Sequence, residues 1–226
     1  MKLAVIQFPG SCDERDAVAA AARVGEAELV WHRERDLRGA DAVIVPGGFS
    51  YGDYLRAGAI ARFAPAIEAV GEFAREGGLV LGICNGFQVL CEAQLLPGAL
   101  LPNANLRFTS RQVGLEVVST ASPFTSRFTA GQRISIPAKH SWGRYYADGA
   151  TRQRLHERGQ VLLRYAPGEN FNGSLDDIAG VCNAGGNVFG LMPHPEHAVD
   201  ELTGGSSDGL GIFASMAGAT AGALAR

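Results

Sequence analysis

Short apolar runs alternate with longer amphipathic segments along the chain, and this pattern predicts strands joined by helices. Strands are predicted at residues 3–7, 28–32, 41–45 and 79–83. Helices are predicted from a cap at Ser11 or Asp13 to about residue 23, at 60–76 with a break at Pro65, and at 85–94. The run at 79–83 is apolar throughout, which is typical of a strand covered on both faces of a parallel sheet.

The pattern changes in the second half of the chain. Residues 112–118, 133–138 and 160–166 are predicted as further strands, with a short helix at 151–158. A hairpin is predicted from 178–182 and 187–192, followed by a closing Ala-rich helix at 207–226. The sequence therefore predicts one α/β domain over residues 1–226, a doubly wound and mostly parallel sheet with extra antiparallel strands.

Composition limits the classes of partner. A net charge of −3, with no long Lys/Arg block, gives no electrostatic basis for binding nucleic acid or an anionic membrane. The apolar run at the N-terminus is too short for a signal peptide, and no window approaches the ~20 apolar residues of a membrane span. We therefore expect a cytoplasmic protein whose four cysteines are reduced, and their dispersed spacing predicts no metal site.

The sharpest chemical signal is Gly82-Ile83-Cys84-Asn85-Gly86, which follows a predicted strand and opens a predicted helix. This G-x-C-x-G pattern is the cysteine form of a nucleophile elbow, a turn so tight that it needs glycine on both sides. It predicts that the Cys84 sulfur stands at a helix N-terminus, where the thiolate is favoured, with the Asn85 N–H as an oxyanion donor. A buried cysteine flanked by glycines for packing alone is the alternative, and that structural interpretation is the one we give Cys12, Cys91 and Cys182.

A cysteine nucleophile needs a base and a group that orients the base, and Met192-Pro193-His194-Pro195-Glu196 supplies both. The prolines favour an extended backbone, on which residues two apart project to the same side. Glu196 is therefore predicted to reach the ring nitrogen of His194 that faces away from Cys84. A surface loop with chance His and Glu is the alternative, and the elbow earlier in the chain favours the catalytic interpretation.

The Pro46-Gly47-Gly48 turn ends another predicted buried strand. Glycine lets backbone N–H groups approach a ligand closely, so an N–H of Gly48 or Phe49 is predicted to complete the oxyanion hole with Asn85. Glycine also makes the peptide planes of this turn inexpensive to reorient, which predicts a switch between an N–H and a carbonyl oxygen facing the site. The alternative is a turn that merely requires glycine.

These motifs, in this order, resemble the class I glutamine amidotransferases, and within that family the free-standing glutaminase subunits of purine biosynthesis. The resemblance covers most of the chain: PGGFSYGDYLR at 46–56, GAIARF at 58–63, GICNGFQ at 82–88, LLPG at 95–98, NGSLDDIAG at 172–180 and MPHPE at 192–196. It departs from the family at Cys12, where an Asn is missing, at His197, where Arg is usual, and at residues 140–143, where HSWG replaces HGEG.

The resemblance implies a flavodoxin-like fold and the hydrolysis of glutamine. Cys84 would form a γ-glutamyl thioester with His194 as base and Glu196 orienting it, while Gly48, Phe49 and Asn85 would hold the oxyanion. The subunit itself would need no cofactor. Its ammonia would pass to a separate synthetase subunit that uses ATP and Mg²⁺, in a complex with a small third subunit. Apart from the resemblance, Asp53, Arg107 and Arg144 are candidates for holding the α-amino and α-carboxylate groups of glutamine, although surface charge is the commoner explanation for each.

Three other functions remain open from the sequence. A glutaminase serving another synthase would share the three catalytic residues. A cysteine hydrolase of the intracellular peptidase type would have its His soon after the elbow, whereas the first His after Cys84 is His140. A non-catalytic scaffold would have no reason to retain Cys84, His194 and Glu196 together.

Overall fold

The computed structural model describes residues 1–224 and contains a nine-stranded sheet and a two-stranded sheet. The strands are β1 Lys2–Gln7, β2 Glu26–Trp31, β3 Ala42–Val45, β4 Leu79–Ile83, β5 Ala99–Pro102, β6 Thr109–Val117, β7 Arg133–His140, β8 Trp142–Tyr146, β9 Val161–Tyr165, β10 Ile178–Cys182 and β11 Val188–Leu191. The helices are α1 Glu14–Ala21, α2 Pro65–Arg75, α3 Asn85–Glu92, α4 Gly149–Glu157, α5 Glu201–Gly204 and α6 Leu210–Leu224. None of the helices in this part of the chain is long and apolar enough to cross a membrane.

The large sheet has the order β2-β1-β3-β4-β11-β10-β9-β6-β7. The strands from β2 to β11 in that order are parallel, and each later strand pairs antiparallel with its neighbour. This arrangement confirms the predicted α/β sheet with an antiparallel extension. The predicted hairpin is β10 and β11, which pair directly.

The central strands are buried on both faces, as is typical of a parallel sheet. All four residues of β3 are buried, as are residues 80–83 of β4. Because consecutive strand residues point to opposite faces, both faces of these strands must be covered. Helix α3 contacts β3, β4 and β11, while α1 contacts β1 and β2.

Several boundaries differ from the sequence prediction. The predicted helix at 60–76 is a 3₁₀ turn, Ala61–Phe63, followed by α2, which begins at Pro65. Proline fits there because the first helical N–H has no partner within the helix. The small sheet of β5 and β8 was not predicted, and α6 begins at Leu210 rather than near residue 207. The end of that predicted helix, residues 225–226, lies outside the described residues.

The parallel strands β1, β3, β4 and β11 end at the same edge of the sheet. The segments that follow them are residues 8–13, 46–49, 84–86 and 192–197. Ligands of such sheets bind at this carboxyl edge, so the fold brings the sequence motifs to one place.

Candidate active site

Cys84 lies at a sharp turn between β4 and α3. Its φ is 50° and its ψ is −105°, a positive-φ conformation that is strained for a residue with a side chain. A Cβ on Gly86 would lie 1.8 Å from the carbonyl oxygen of Val45, and one on Gly82 would lie 2.5 Å from Leu90. Both positions therefore require glycine, and the turn has the elbow geometry that the sequence predicts.

The imidazole of His194 is buried, with 1% of its side chain exposed. Its Nδ1 is 2.6 Å from Oε1 of Glu196, and both His194 and Cys84 line one small cavity of about 70 Å³. Nε2 of His194 is buried without a hydrogen-bond partner in the described part of the chain. Cys84, His194 and Glu196 thus meet in the order that a nucleophile, a base and an orienting carboxylate require.

The His194–Glu196 contact was predicted from an extended backbone, but the backbone has another conformation. Pro195–His197 forms a 3₁₀ turn rather than a continuous extended segment. The two side chains meet across this turn, so their predicted contact occurs for a different geometric cause.

The charges around His194 favour its protonated form. Burial disfavours the imidazolium, but the negative charges of Glu196 and of a Cys84 thiolate outweigh burial and raise the pKa of His194 to about 10. The imidazolium form of His194, beside Cys84, is therefore the form that this environment favours.

The three predicted oxyanion donors are not equivalent. The carbonyl oxygen of Gly47 accepts hydrogen bonds from the N–H groups of Cys12 and Asp13, both at 3.3 Å. Because the C=O and N–H of a trans peptide point in opposite directions, the N–H of Gly48 points away from residues 12 and 13, towards the β4 side of β3. The Phe49 N–H instead donates to the carbonyl oxygen of Gly10 at 2.8 Å. In this conformation the Phe49 amide is engaged elsewhere, and the Gly48 carbonyl points away from Gly10.

The side chain of Asn85 fixes the start of α3. Its Oδ1 accepts the Ser50 N–H at 3.0 Å, and its Nδ2 donates to Asp53 at 3.0 Å and to Gln88 at 2.8 Å. Gln88 in turn donates to the carbonyl oxygen of Trp142 at 2.5 Å. This network ties the loop after β3, the elbow helix and the start of β8 together, so the Asn85 N–H has a fixed direction.

Among the three candidates for holding the α-groups of the substrate, Asp53 lines the cavity, and Arg107 and Arg144 do not. Burial raises the pKa of Asp53. Ser141 and Trp142 stand in the segment that departs from the family pattern, and both line the same cavity. The sequence motifs predict no role for either residue.

The sequence interpretation of Cys12 as a cysteine that serves packing alone is wrong, because Cys12 is exposed and lines the same cavity. Partial burial and the neighbouring Asp13 raise the pKa of Cys12, which disfavours its thiolate. Burial also raises the pKa of Cys182 to about 11. Cys84, in contrast, lies at the N-terminus of α3 and shares the cavity with His194, surroundings that suit a nucleophile.

A charged cluster that the sequence did not predict lies beside His194. Asp13 is bonded to Lys139 at 2.5 Å and lies 3.3 Å from His197. Within residues 1–224, one polar side-chain atom from each of Asp13, His194, Glu196 and His197 lies within 4.8 Å of the others. Because the Lys139 ammonium already supplies a cation to this group, its geometry suits proton handling better than metal binding.

The comparisons with known proteins agree with this geometry. Residues 1–208 match the CobB/CobQ-like glutamine amidotransferase domain. The chain is 57% identical over 217 residues to the phosphoribosylformylglycinamidine synthase subunit PurQ of Rubrobacter xylanophilus, covering 96% of this chain and 97% of that protein. It is 55% identical to the PurQ subunit of Thermus thermophilus, with the same coverage. Among solved structures it is similar to a chain of PurLQS from Thermotoga maritima, with a TM-score of 0.88 and 42% identity over 96% of this chain and 98% of that one.

Proposed function

The chain belongs to the family of CobB/CobQ-like glutamine amidotransferase domains, and on that premise we propose that it is the glutaminase subunit of a phosphoribosylformylglycinamidine synthase. Cys84 is the proposed nucleophile, His194 the proton carrier and Glu196 its orienting partner. The observation that carries the proposal is the meeting of these three side chains at the carboxyl edge of a parallel sheet, beside one cavity.

The proposed reaction proceeds through two acyl transfers. The Cys84 thiolate attacks the side-chain amide carbon of glutamine, and the amides of Gly48 and Asn85 stabilise the oxyanion that forms. The His194 imidazolium gives its proton to the departing nitrogen, the carbon–nitrogen bond breaks, and ammonia leaves while the γ-glutamyl group stays on Cys84 as a thioester. His194, now neutral, takes a proton from water as the hydroxide adds to the thioester. Glutamate then leaves, and the thiolate–imidazolium pair is restored.

The ammonia has a proposed recipient. A synthetase subunit that uses ATP and Mg²⁺ would take it up, in a complex with a small third subunit, and this chain would need no cofactor of its own. Exposed apolar side chains beside the cavity form a surface that such a partner subunit could cover. Phe49 and Phe108 line the cavity and are 46% and 55% exposed, and Tyr54 and Leu55 continue the surface at 73% and 88%. Apolar surface of this kind is typical of a protein-binding site.

The turn at residues 47–49 supports control by that partner. For the Phe49 N–H to face the oxyanion, the Gly48–Phe49 peptide must rotate and break its hydrogen bond with Gly10. The φ of Gly48 is 143°, and a Cβ there would lie 2.6 Å from the Cys12 nitrogen, so only glycine fits this turn. The isolated subunit would accordingly lack one oxyanion donor.

We expect the isolated chain to release glutamate slowly, and its rate to rise at least about tenfold when the synthetase, the small subunit and the synthetase substrate are added. One oxyanion donor is worth about 10²–10³ in rate, which is ample for this effect. The measurement is glutamate release with and without the partners. No glutamate release from the full complex would contradict the glutaminase function itself, while full activity of the isolated chain would contradict only the control by the turn.

A further inference from the structure

We propose that Asp13 is a positioning residue of the glutaminase reaction, one that holds the proton-bearing imidazole of His194 and ties it to Lys139 and the glycine turn. This inference rests on the proposed role of Cys84 and His194, and it adds a second carboxylate to the base.

The first observation is that Asp13 does not do what an acidic residue at its position normally does. It is the N-cap residue of α1, where an Asp side chain usually accepts a hydrogen bond from the first turn of the helix. Here the side chain makes no capping hydrogen bond, and the residue is only 3% exposed. A buried carboxylate needs compensating partners, and those of Asp13 lie on the side of the active site rather than in the helix.

Its partners come from two other segments of the chain. Oδ1 of Asp13 accepts from Nζ of Lys139, at the end of β7, at 2.5 Å, and lies 3.3 Å from Nε2 of His197. Oδ2 lies 3.6 Å from Nδ1 of His194. The Nδ1 atom therefore faces two carboxylates, with Glu196 in direct contact and Asp13 one ångström farther away.

The glycine turn is shaped around this arrangement. A Cβ on Gly47 would lie 2.4 Å from Oδ2 of Asp13 and 2.8 Å from Cε1 of His194. A side chain at this position would push the two groups apart. The carbonyl oxygen of Gly47 also accepts the backbone N–H of Asp13. Asp13 thus connects His194, which carries the proton, with the turn that supplies the Gly48 amide.

The charges of the cluster are consistent with an ionised Asp13. Burial favours the neutral acid, but the hydrogen bond with His197 and the positive charges of His194 and Lys139 outweigh burial and hold the pKa of Asp13 well below its usual range. Burial likewise disfavours the Lys139 ammonium, and Asp13 more than compensates, so the pKa of Lys139 is raised. The Lys139 ammonium thus helps to keep Asp13 ionised although a second carboxylate, that of Glu196, lies at the same imidazole.

The consequence concerns how long His194 stays protonated as the pH rises. The titratable groups that face it from the elements packed around it are Cys84, Glu196, Asp13, Lys139, His140 and His197. Removing the negative charge of Asp13 takes away one source of stabilisation of the imidazolium. The pKa of His194 must then fall, and the loss of activity at high pH must begin at a lower pH.

The test is Asp13→Asn in the assembled synthase, with Asp16→Asn as the matched control. Asp16 is exposed in the first turn of the same helix, so its substitution makes the same chemical change away from the site. Asp13→Asn should lower kcat/KM for glutamine by about tenfold to a hundredfold, the effect of losing a hydrogen bond or contact to a charged group. It should also move the alkaline limb of the pH profile down by about one pH unit, while turnover supported by ammonium is kept.

Glutamine-supported turnover that equals that of Asp16→Asn overturns the inference, and so does a uniform loss of rate with no displacement of the alkaline limb. If Asp13→Asn also loses ammonium-supported turnover, the same measurement is made on Asp13→Ser, which removes the charge and restores a residue favoured at helix N-caps. Full glutamine-supported activity of Cys84→Ser would overturn the proposed role of Cys84, and no glutamate release from the full wild-type complex would overturn the proposed function, so these failures are distinguishable from that of Asp13.

Discussion

Replacing Cys84 with serine is expected to abolish glutamine-supported amidation by the assembled synthase, by at least about 10⁴-fold, as losses of a catalytic nucleophile do. The serine hydroxyl fits the elbow, but it is not ionised by the helix N-terminus or by the neighbouring imidazolium. Ammonium at high concentration should still support the reaction, because the synthetase needs only free ammonia. The measurement is turnover of the same complex with glutamine and with ammonium as nitrogen source.

Cys91→Ser is the matched control for that substitution. Cys91 lies on the same helix two turns later, and burial raises the pKa of its thiol. This variant should keep glutamine-supported turnover. Retained turnover in Cys84→Ser would remove Cys84 from the mechanism, and equal loss with both nitrogen sources would indicate a failure of assembly.

Replacing His194 with alanine is expected to approach the Cys84→Ser defect, because no group remains to protonate the departing ammonia. Glu196→Gln should be milder, a loss of about 10²-fold or less, because the imidazole stays in place and Asp13 still lies 3.6 Å from its Nδ1. Since the residues act as a unit, the double variant should be far from additive. Single-turnover acylation by glutamine measures these effects directly, and wild-type acylation in Glu196→Gln would move the orienting role to another residue.

Local sequence was sufficient where the structural cause is local. The strand at 79–83 and the elbow at Cys84 were predicted because an apolar run followed by G-x-C-x-G has few other solutions. The hairpin of β10 and β11 was predicted for a similar reason, since two apolar runs flank Ala184-Gly185-Gly186. The small sheet of β5 and β8 was missed because β5 is four residues long and ends in proline, which is typical of a turn.

The site was harder to predict where its contacts join distant parts of the chain. Asp13 was predicted only as a possible helix cap, whereas its carboxylate bonds to Lys139, 126 positions later. No spacing rule predicts a contact of that kind. The one local signal was an acidic residue three positions after Gly10, in the segment that follows β1 at the edge of the sheet. The engagement of the Phe49 N–H by Gly10 was equally hidden, because both donor and acceptor are backbone groups.

The central claim is that Cys84, rather than another cysteine of this cavity, attacks glutamine. It is tested most directly by treating the assembled synthase with a glutamine analogue that carries a chloroketone in place of its amide, and by locating the label with peptide mass spectrometry. Cys12→Ser is the matched control, because Cys12 is exposed in the same cavity. The account predicts one label, on Cys84, that excess glutamine prevents, that Cys84→Ser removes and that Cys12→Ser leaves unchanged. A label on Cys12, or no label on Cys84 with all partners present, would contradict it.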